Sequence, residues 1–280
     1  MDKIMRRKQI VYVVLAVILL AALWVIPKSF NRQGQDSYYM VCLGDSMLAP
    51  VKKMYGVVDI LEDKLQKPIY NGALGGTCLG RKDKEKRLAS THDSLSMVAL
   101  AEAIAYEDFG PQKAALIREN GTDYFADTIS GLAGTAFDKV DVVLIEHGTN
   151  DYNSGIPMVN EEDPYDEYSF AGALRKTVKI LKEQLPGVRI ILVTPTYCWF
   201  PQMGHNCETW QPAGATLEDY VELEKRLAKE LGVEVIDHYP LFSHAEEADC
   251  YKYTVDGLHA TELGRQMIAD SIVQYLLENP

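Results

Sequence analysis

Short apolar runs rich in β-branched residues alternate along the chain with longer stretches in which apolar residues recur every three or four positions. This pattern predicts strands that alternate with helices, because side chains alternate between faces along a strand and return to the same face after about 3.6 residues in a helix. Two of the runs, at 140–145 and 189–193, are nearly continuous in apolar residues, which is typical of parallel strands covered on both faces. We therefore predict βαβ units and a parallel sheet.

The predicted fold class is a three-layer α/β/α sandwich around a five-stranded parallel sheet of flavodoxin-like order. The five predicted strands lie at residues 38–43, 68–71, 140–145, 189–193 and 233–236, and the clearest helices at 54–66, 168–185, 217–231 and 262–277. Residues 80–138, about 60 residues between the second and third strands, are too many for a simple crossover. We expect residues 80–138 to be an insertion that contains a helix at 94–106 and covers one face of the sheet.

The segment 1–27 has a different character from the rest of the chain. A basic stretch with Lys3, Arg6 and Arg7 precedes an uncharged apolar run at 10–26, which is about as long as the shortest helix that spans a membrane. No clear small-residue cleavage site precedes Pro27, so an uncleaved signal anchor is the preferred interpretation, and a cleaved signal peptide is the alternative. The basic side should stay in the cytoplasm, which would place a linker at 28–36 and a folded domain at 37–280 outside it, tethered to the membrane or secreted after cleavage.

Composition narrows the classes of function. The chain has 280 residues, enough for one domain, and its 28 Lys+Arg against 40 Asp+Glu give a formal net charge of −12. Such a charge repels nucleic acid, so no nucleic-acid partner is expected. The five cysteines form no C-x-x-C pair, so we expect no metal and no cofactor. Outside the cell Cys198 and Cys207 could close a short loop, although the odd cysteine count leaves the pairing open.

Residues that could take part in catalysis directly follow the first and third predicted strands. Gly44-Asp45-Ser46 would present a serine hydroxyl at the carboxyl end of the first strand, where open α/β sheets bind ligands. The tripeptide alone is a weak signal, and a helix cap is the alternative role of Ser46. Gly148-Thr149-Asn150-Asp151 occupies the matching place after the third strand. The Asn150 amide could donate to an oxygen that becomes negative during acyl transfer, although turn formation and helix capping are the favoured roles of this segment taken by itself.

Two further segments end at the same edge of the predicted sheet. The loop at 71–77 is rich in glycine, so a backbone N–H, such as that of Gly76, can approach a substrate closely. Asp256-Gly257-Leu258-His259 precedes the last helix, and the three-residue spacing lets the carboxylate reach the imidazole as an orienting group reaches a base. The other histidines lack such companions, and a structural role is expected for each of them, namely His92, His147, His205, His238 and His244. In a flavodoxin-like sheet all four segments converge on one crevice.

These four segments, in this order, resemble the conserved blocks of the SGNH (GDSL) hydrolase family, from Gly44 to about Gly264. The segment 256–264 is especially close to the last block of the family, although Ala260 stands where the family often has proline and Thr77 where aspartate is common. The resemblance implies an SGNH hydrolase fold and a serine esterase. It further implies Ser46 as nucleophile, His259 as general base and acid, Asp256 as its orienting carboxylate, and an oxyanion hole made by the N–H groups of Ser46 and Gly76 and the Asn150 side chain. Supporting roles are expected for three neighbours of these residues, namely Asp45, Gly148 and Asp151.

The substrate is less well defined by the sequence. Tyr197, Trp199 and Trp210 lie in the segment 197–210 after the fourth strand, where aromatic rings could hold a sugar or an acyl chain, or could simply anchor the loop to the core. The acidic run at 160–167 lacks the spacing of a calcium-binding loop and is expected to be a solvated surface. Hydrolysis of short acyl esters, including carbohydrate O-acetyl groups, is the preferred function. Alternatives are O-acyl transfer to a cell-surface polysaccharide, lysophospholipid or thioester cleavage, and a binding module without activity.

Overall fold

The computed structural model describes residues 37–51, 55–82, 91–119, 123–242 and 250–280. The predicted signal anchor at 1–27, with its apolar run at 10–26, and the linker at 28–36 lie outside the described residues. Within the described ranges, every helix is too short or too polar to reach across a lipid bilayer.

Five parallel strands form the central sheet, as predicted. They are β1 (Met40–Gly44), β2 (Ile69–Asn71), β3 (Val142–Glu146), β4 (Arg189–Val193) and β7 (Glu234–Ile236), and two short antiparallel strands, β5 (Trp199–Phe200) and β6 (His205–Asn206), form a separate hairpin. All side chains of β1 and β3 are buried, because helices cover both faces of the sheet. This burial explains the nearly continuous apolar runs in the sequence.

The strand order is β2-β1-β3-β4-β7, which is the flavodoxin-like order that the sequence predicts. The chain moves from β1 to β2 in one direction and from β3 onward in the other, so β1 and β3 are neighbours at the point where the direction reverses. In their parallel register Gly44 pairs with Glu146, and the residues that follow both strands therefore emerge side by side. Ligands bind at this place in open α/β sheets.

Helices lie on both sides of the sheet, since right-handed crossovers in opposite directions put their helices on opposite faces. The helices that pack in these layers are α1 (Val57–Leu65), α3 (Met97–Tyr106), α7 (Phe170–Gln184), α8 (Leu217–Leu231) and α10 (Glu262–Glu278), and a short helix, α9 (Cys250–Tyr253), precedes the last of them. Helix α1 packs against α10 on one side, and α7 packs against α3 and α8 on the other. The three-layer arrangement is thus the predicted one.

Serine caps explain why two helices begin later than the sequence predicts. The helix predicted at 94–106 begins only at Met97, because the Ser96 hydroxyl accepts a hydrogen bond from Ala99 N and caps it. Ser169 caps α7 in the same way, so that helix begins at Phe170. The helix predicted at 54–66 begins at Val57, and residue 54 lies outside the described residues.

The insertion at 80–138 contains more helix than the sequence predicted. Besides α3 it holds α2 (Thr91–Ser94), α4 (Gly110–Glu119) and α5 (Asp123–Ala133), and its residues 83–90 and 120–122 lie outside the described part. Helix α5 lies close to the edge strand β2, where the Tyr70 hydroxyl donates to Thr128 O at 2.9 Å. The insertion therefore covers the β2 edge of the sheet as well as contributing α3 to one of its faces.

The central strands should dominate stability. Leu144, in β3, has no exposed surface, and its replacement by alanine is expected to cost about 2–5 kcal/mol of unfolding free energy because it leaves a cavity. Leu277→Ala is the matched control, since that side chain is 72% exposed. Chemical denaturation of both variants checks the prediction, and equal midpoints would contradict it.

Candidate active site

The turn after β1 presents Ser46 beside the carboxyl end of β3. The Asp45 side chain is buried, and its Oδ1 accepts a hydrogen bond from Met47 N at 2.9 Å while its backbone O accepts one from Ala49 N at 3.0 Å. These bonds close the turn around Ser46, whose side chain is partly exposed. Asp45 thus holds the turn from its buried side, while Ser46 lies on the exposed side.

A second turn, just before α10, carries the predicted base. Val255 N donates to His259 O at 2.8 Å, and Gly257 N donates to the Thr254 hydroxyl at 2.9 Å, so the turn is fixed by its own hydrogen bonds. The Asp256 carboxylate accepts bonds through Oδ1 from the backbone N–H groups of Leu258 and His259, at 3.0 and 2.8 Å. Its orientation is therefore set within the turn itself.

The two turns meet in a continuous hydrogen-bonded chain. Asp256 Oδ2 lies 2.6 Å from His259 Nδ1, and His259 Nε2 lies 3.1 Å from Ser46 Oγ, although 213 positions separate these residues in the sequence. Partial burial opposes ionisation of Asp256, but its hydrogen bonds from His259 and Leu258 outweigh that effect and lower the pKa of the carboxyl. An ionised carboxylate here fixes the proton on Nδ1 and leaves Nε2 to accept the serine proton.

The glycine loop after β2 borders the same serine. A Cβ built on Gly75 would lie 3.6 Å from Ser46 Cβ, so this backbone lies in contact with the serine side chain. Gly76 has a φ of +76°, and no atom lies within 4 Å of the place where its Cβ would be. Within the described part of the chain, neither Ser46 N nor Gly76 N donates a hydrogen bond to the protein. Both are therefore available to an anionic oxygen at Ser46.

Asn150 also lies at this edge, but its amide is already engaged. Asn150 Nδ2 donates to Asp45 Oδ2 at 2.9 Å and to Thr77 O at 3.0 Å. The amide therefore links the β1 turn to the glycine loop. A role as the third oxyanion donor, which the resemblance implies, requires one of these two bonds to be shared with the substrate.

The neighbours of Asn150 have structural contacts. Asp151, fully buried, accepts hydrogen bonds from Leu79 N at 2.8 Å and Gly80 N at 2.9 Å. Gly148 O accepts a bond from Tyr152 N at 2.9 Å at the start of α6 (Thr149–Asn153). Asp151 therefore fixes the segment that continues from the glycine loop into the insertion.

Buried carboxyl groups lie beneath the site, and two of them, Glu146 and Glu224, belong to none of the four segments. Burial raises the pKa of Asp45 and of Asp151 to about 6. Burial, followed by the negative charge of Asp45, raises the pKa of Glu146 well above its usual range, and burial does the same for Glu224. A signal for Glu146 exists in the sequence, because it ends the otherwise apolar strand β3. Nothing in the pattern of α8 distinguishes Glu224.

Tyr124, in the insertion, is a further residue that no motif marks. Its hydroxyl accepts a hydrogen bond from Gly75 N at 2.8 Å. The sequence gives no signal of this contact, because Tyr124 lies 49 positions from Gly75 in a segment without a recognisable motif.

The aromatic residues proposed for substrate binding divide into two groups. Tyr197 and Trp199 are buried, at 7% and 3% exposure, and their rings pack against each other with centroids 4.9 Å apart. Their burial favours the alternative role of anchoring the loop to the core. Trp210 is partly exposed and packs against Phe200, also partly exposed, at 4.9 Å. Trp199 N donates to Gly257 O at 2.8 Å, so this hairpin lies against the turn that carries His259.

The other histidines that the structure describes lie away from the contacts of Ser46. His147 and His238 are buried and His205 is exposed, whereas His244 and the side chain of His92 lie outside the described residues. In the ranges that the structure describes, no group of three or more His, Cys, Asp or Glu side chains has the arrangement of a metal site. Cys198 and Cys207 lie opposite each other on the hairpin as free thiols.

Comparison with known proteins shows which family the sequence matches. The model of the GDSL-like lipase/acylhydrolase family matches residues 42–267, a range that contains all four segments. A comparison with curated protein sequences gives no significant match.

Solved structures share the fold. A Lactobacillus plantarum protein is 18% identical, with a TM-score of 0.61 over 88% of this chain and 100% of its own. A possible lipase from Chitinophaga pinensis is 16% identical, with a TM-score of 0.57 over 85% and 97% of the two chains. A member of the lipolytic G-D-S-L family from Veillonella parvula is 17% identical, with a TM-score of 0.50 over 84% and 96%. At these identities the likenesses establish the fold and nothing finer.

The turn that carries His259 should depend on Gly257. This glycine has a φ of +96°, and a Cβ there would lie 2.4 Å from Trp199 O, so Gly257→Ala combines backbone strain with a backbone clash. Gly187→Ala is the control, because Gly187 has the same φ of +96° with open space around it. We expect the control to lose about 1–3 kcal/mol of unfolding free energy and Gly257→Ala to lose clearly more. Equal losses in thermal or chemical unfolding would contradict the clash.

The buried acids should make stability depend on pH. Because burial raises the pKa of Glu224 well above the ordinary value of 4.5, the folded state keeps a proton that the unfolded chain loses. The contribution of this proton to stability falls as the pH rises above about 4.5. The slope for one such group is at most about 1.4 kcal/mol per pH unit. Glu224→Gln should therefore flatten the fall in unfolding free energy between pH 5 and 8, on the order of that slope. Glu218→Gln, at an exposed position of the same helix, should not change it, and an unchanged slope in Glu224→Gln would refute the prediction.

Proposed function

Since the chain belongs to the GDSL-like lipase/acylhydrolase family, we propose that it is a serine esterase that hydrolyses short acyl esters with Ser46 as the nucleophile. The observation that carries this proposal is the chain of two contacts, 2.6 Å from Asp256 to His259 and 3.1 Å from His259 to Ser46. A serine hydroxyl attacks an ester only when a base removes its proton, and these contacts supply the base in hydrogen-bonding range.

Acylation begins when Ser46 Oγ attacks the ester carbonyl carbon while His259 Nε2 takes its proton. The Asp256 carboxylate orients the ring and stabilises the imidazolium. The carbonyl oxygen then becomes an anion, to which Ser46 N and Gly76 N donate, with Asn150 as a third donor if one of its two present hydrogen bonds is shared with that oxygen. Each such donor contributes about 3 kcal/mol to transition-state stabilisation in enzymes of known mechanism.

Acylation ends when the imidazolium gives its proton to the departing alcohol, which leaves Ser46 as an ester of the acyl group. Deacylation repeats the same steps with water. His259 removes a proton from a water molecule that attacks this ester, and the imidazolium returns that proton to Ser46 Oγ as the acid is released. The cycle needs no cofactor, and the described residues supply every proton transfer in it.

Carbohydrate O-acetyl esters are the substrate class that we propose. Phe200 and Trp210 are partly exposed on the hairpin that contacts the His259 turn, and aromatic faces at such a place suit the apolar faces of sugar rings. The imidazole and carboxylate are both about half exposed, at 45% and 46%, which suits a substrate that is large and polar. The apolar run at 10–26 behind basic residues supports a domain that is tethered outside the cytoplasm, where surface carbohydrate is found.

Replacement of the nucleophile tests the proposal. Ser46→Ala is expected to lower turnover of a nitrophenyl acetate ester at least about a thousandfold with no change in thermal unfolding, because the hydroxyl is the attacking atom. Ser154→Ala, an exposed serine that ends α6, is the control and should retain full activity. Retained turnover in Ser46→Ala would falsify the assignment. Acetylated sugars assayed with and without an acceptor sugar separate hydrolysis from acyl transfer, because transfer would move the acyl group to the acceptor.

A further inference from the structure

The hydrogen bond from Gly75 N to Tyr124 Oη joins the glycine loop to the insertion. The two atoms lie 2.8 Å apart, and Tyr124 is the second residue of α5. A Cβ built on Gly75 would lie 3.0 Å from this hydroxyl oxygen and 3.6 Å from Ser46 Cβ. The phenol oxygen and the serine side chain therefore flank the same glycine.

The Gly75–Gly76 pair is the freest part of the oxyanion loop. On its amino side Leu74 N donates to Gly44 O at 2.8 Å, and on its other side the Thr77 hydroxyl donates to Leu74 O at 2.7 Å. Two adjacent glycines between these fixed points have more accessible backbone conformations than any other pair of residues. Within the ranges that the structure describes, two hydrogen bonds hold this pair, namely the turn bond from Thr77 N to Leu74 O at 3.4 Å and the shorter bond from Gly75 N to Tyr124 Oη at 2.8 Å.

Helix α5, which carries Tyr124, is fixed by its packing against the core. Ile129 and Leu132 are buried in the core, and the Tyr70 hydroxyl from β2 donates to Thr128 O at 2.9 Å. A Cβ on Gly131 would overlap the Tyr70 ring, so the helix is seated closely on that tyrosine. The position of Tyr124 is therefore determined by packing that does not involve the active site.

We propose that Tyr124 is a positioning residue, which anchors Gly75 through its N–H so that the N–H of the next residue, Gly76, points at the oxyanion. This inference rests on the proposed esterase function and assigns part of the insertion a role in it. Tyr124 acts through the backbone and not through the substrate. Its loss should therefore weaken transition-state stabilisation, which affects kcat, and leave substrate binding largely unchanged.

Paired phenylalanine variants test the proposal. Tyr124→Phe removes the acceptor of the Gly75 bond, and Tyr275→Phe is the control, because it removes a tyrosine hydroxyl that bonds to Glu234 at the opposite end of the sheet. For a nitrophenyl acetate ester we expect kcat to fall about tenfold in Tyr124→Phe with KM within about twofold, and both constants to stay at the wild-type values in Tyr275→Phe. Unchanged kcat in Tyr124→Phe, or a rise in KM alone, would overturn the proposal.

Amide hydrogen exchange provides a readout that does not depend on activity. Exchange at Gly75 should be faster in Tyr124→Phe than in the wild-type protein and in Tyr275→Phe, because Gly75 N loses its hydrogen-bond acceptor. Equal exchange in the three proteins would show that Tyr124 does not hold the loop. If the wild-type protein lacked turnover that depends on Ser46, the proposed function would fail, and the exchange result would still decide whether Tyr124 fixes this glycine.

Discussion

The parallel pairing of β1 and β3 is the constraint from which the site follows. Both strands are buried on both faces, so their register is set by the core, and it places Gly44 beside Glu146. The chain leaves each strand with a polar segment at the same edge, because the sheet order reverses between them. The hydrogen bond from Asn150 to Asp45 joins these segments, and its amide also holds the glycine loop at Thr77. Packing of apolar strands thus sets the positions of polar side chains that are distant in sequence.

Buried carboxyl groups lie below this edge of the sheet, where burial opposes their ionisation but lets them hold the surrounding loops. Desolvation raises the pKa of both Asp45 and Asp151 to about 6, although each accepts two hydrogen bonds through its side chain. Those bonds come from backbone and amide N–H groups of the loops that surround Ser46 and Gly76. Asp45 and Asp151 therefore supply the hydrogen bonds that hold these loops, which have no regular backbone pairing of their own. Asp256 is more exposed, and its pKa is lowered, as suits an ionised group that orients a histidine.

Much of the fold could be predicted from the sequence because its signals are local. The strand at 189–193 and the helix at 217–231 have the predicted bounds, since apolar periodicity and caps such as Thr216 define them. The contact between His259 and Ser46 could be anticipated from the order of the segments, as each follows a strand of one sheet. The role of Tyr124 could not, because its bond to Gly75 depends on how the insertion packs and not on any spacing. The burial of Trp199 was likewise undecided, since an aromatic loop residue suits a core or a crevice equally well.

The central claim is that Ser46, His259 and Asp256 act together on an ester, and one structure tests it most directly. A crystal structure of the protein after reaction with an alkyl nitrophenyl phosphonate should show phosphorus bonded to Ser46 Oγ, with the phosphonyl oxygen in hydrogen-bonding range of Ser46 N and Gly76 N. The His259 ring should remain between Asp256 and the adduct. An adduct on another residue, or a His259 ring turned away from Ser46, would contradict the account.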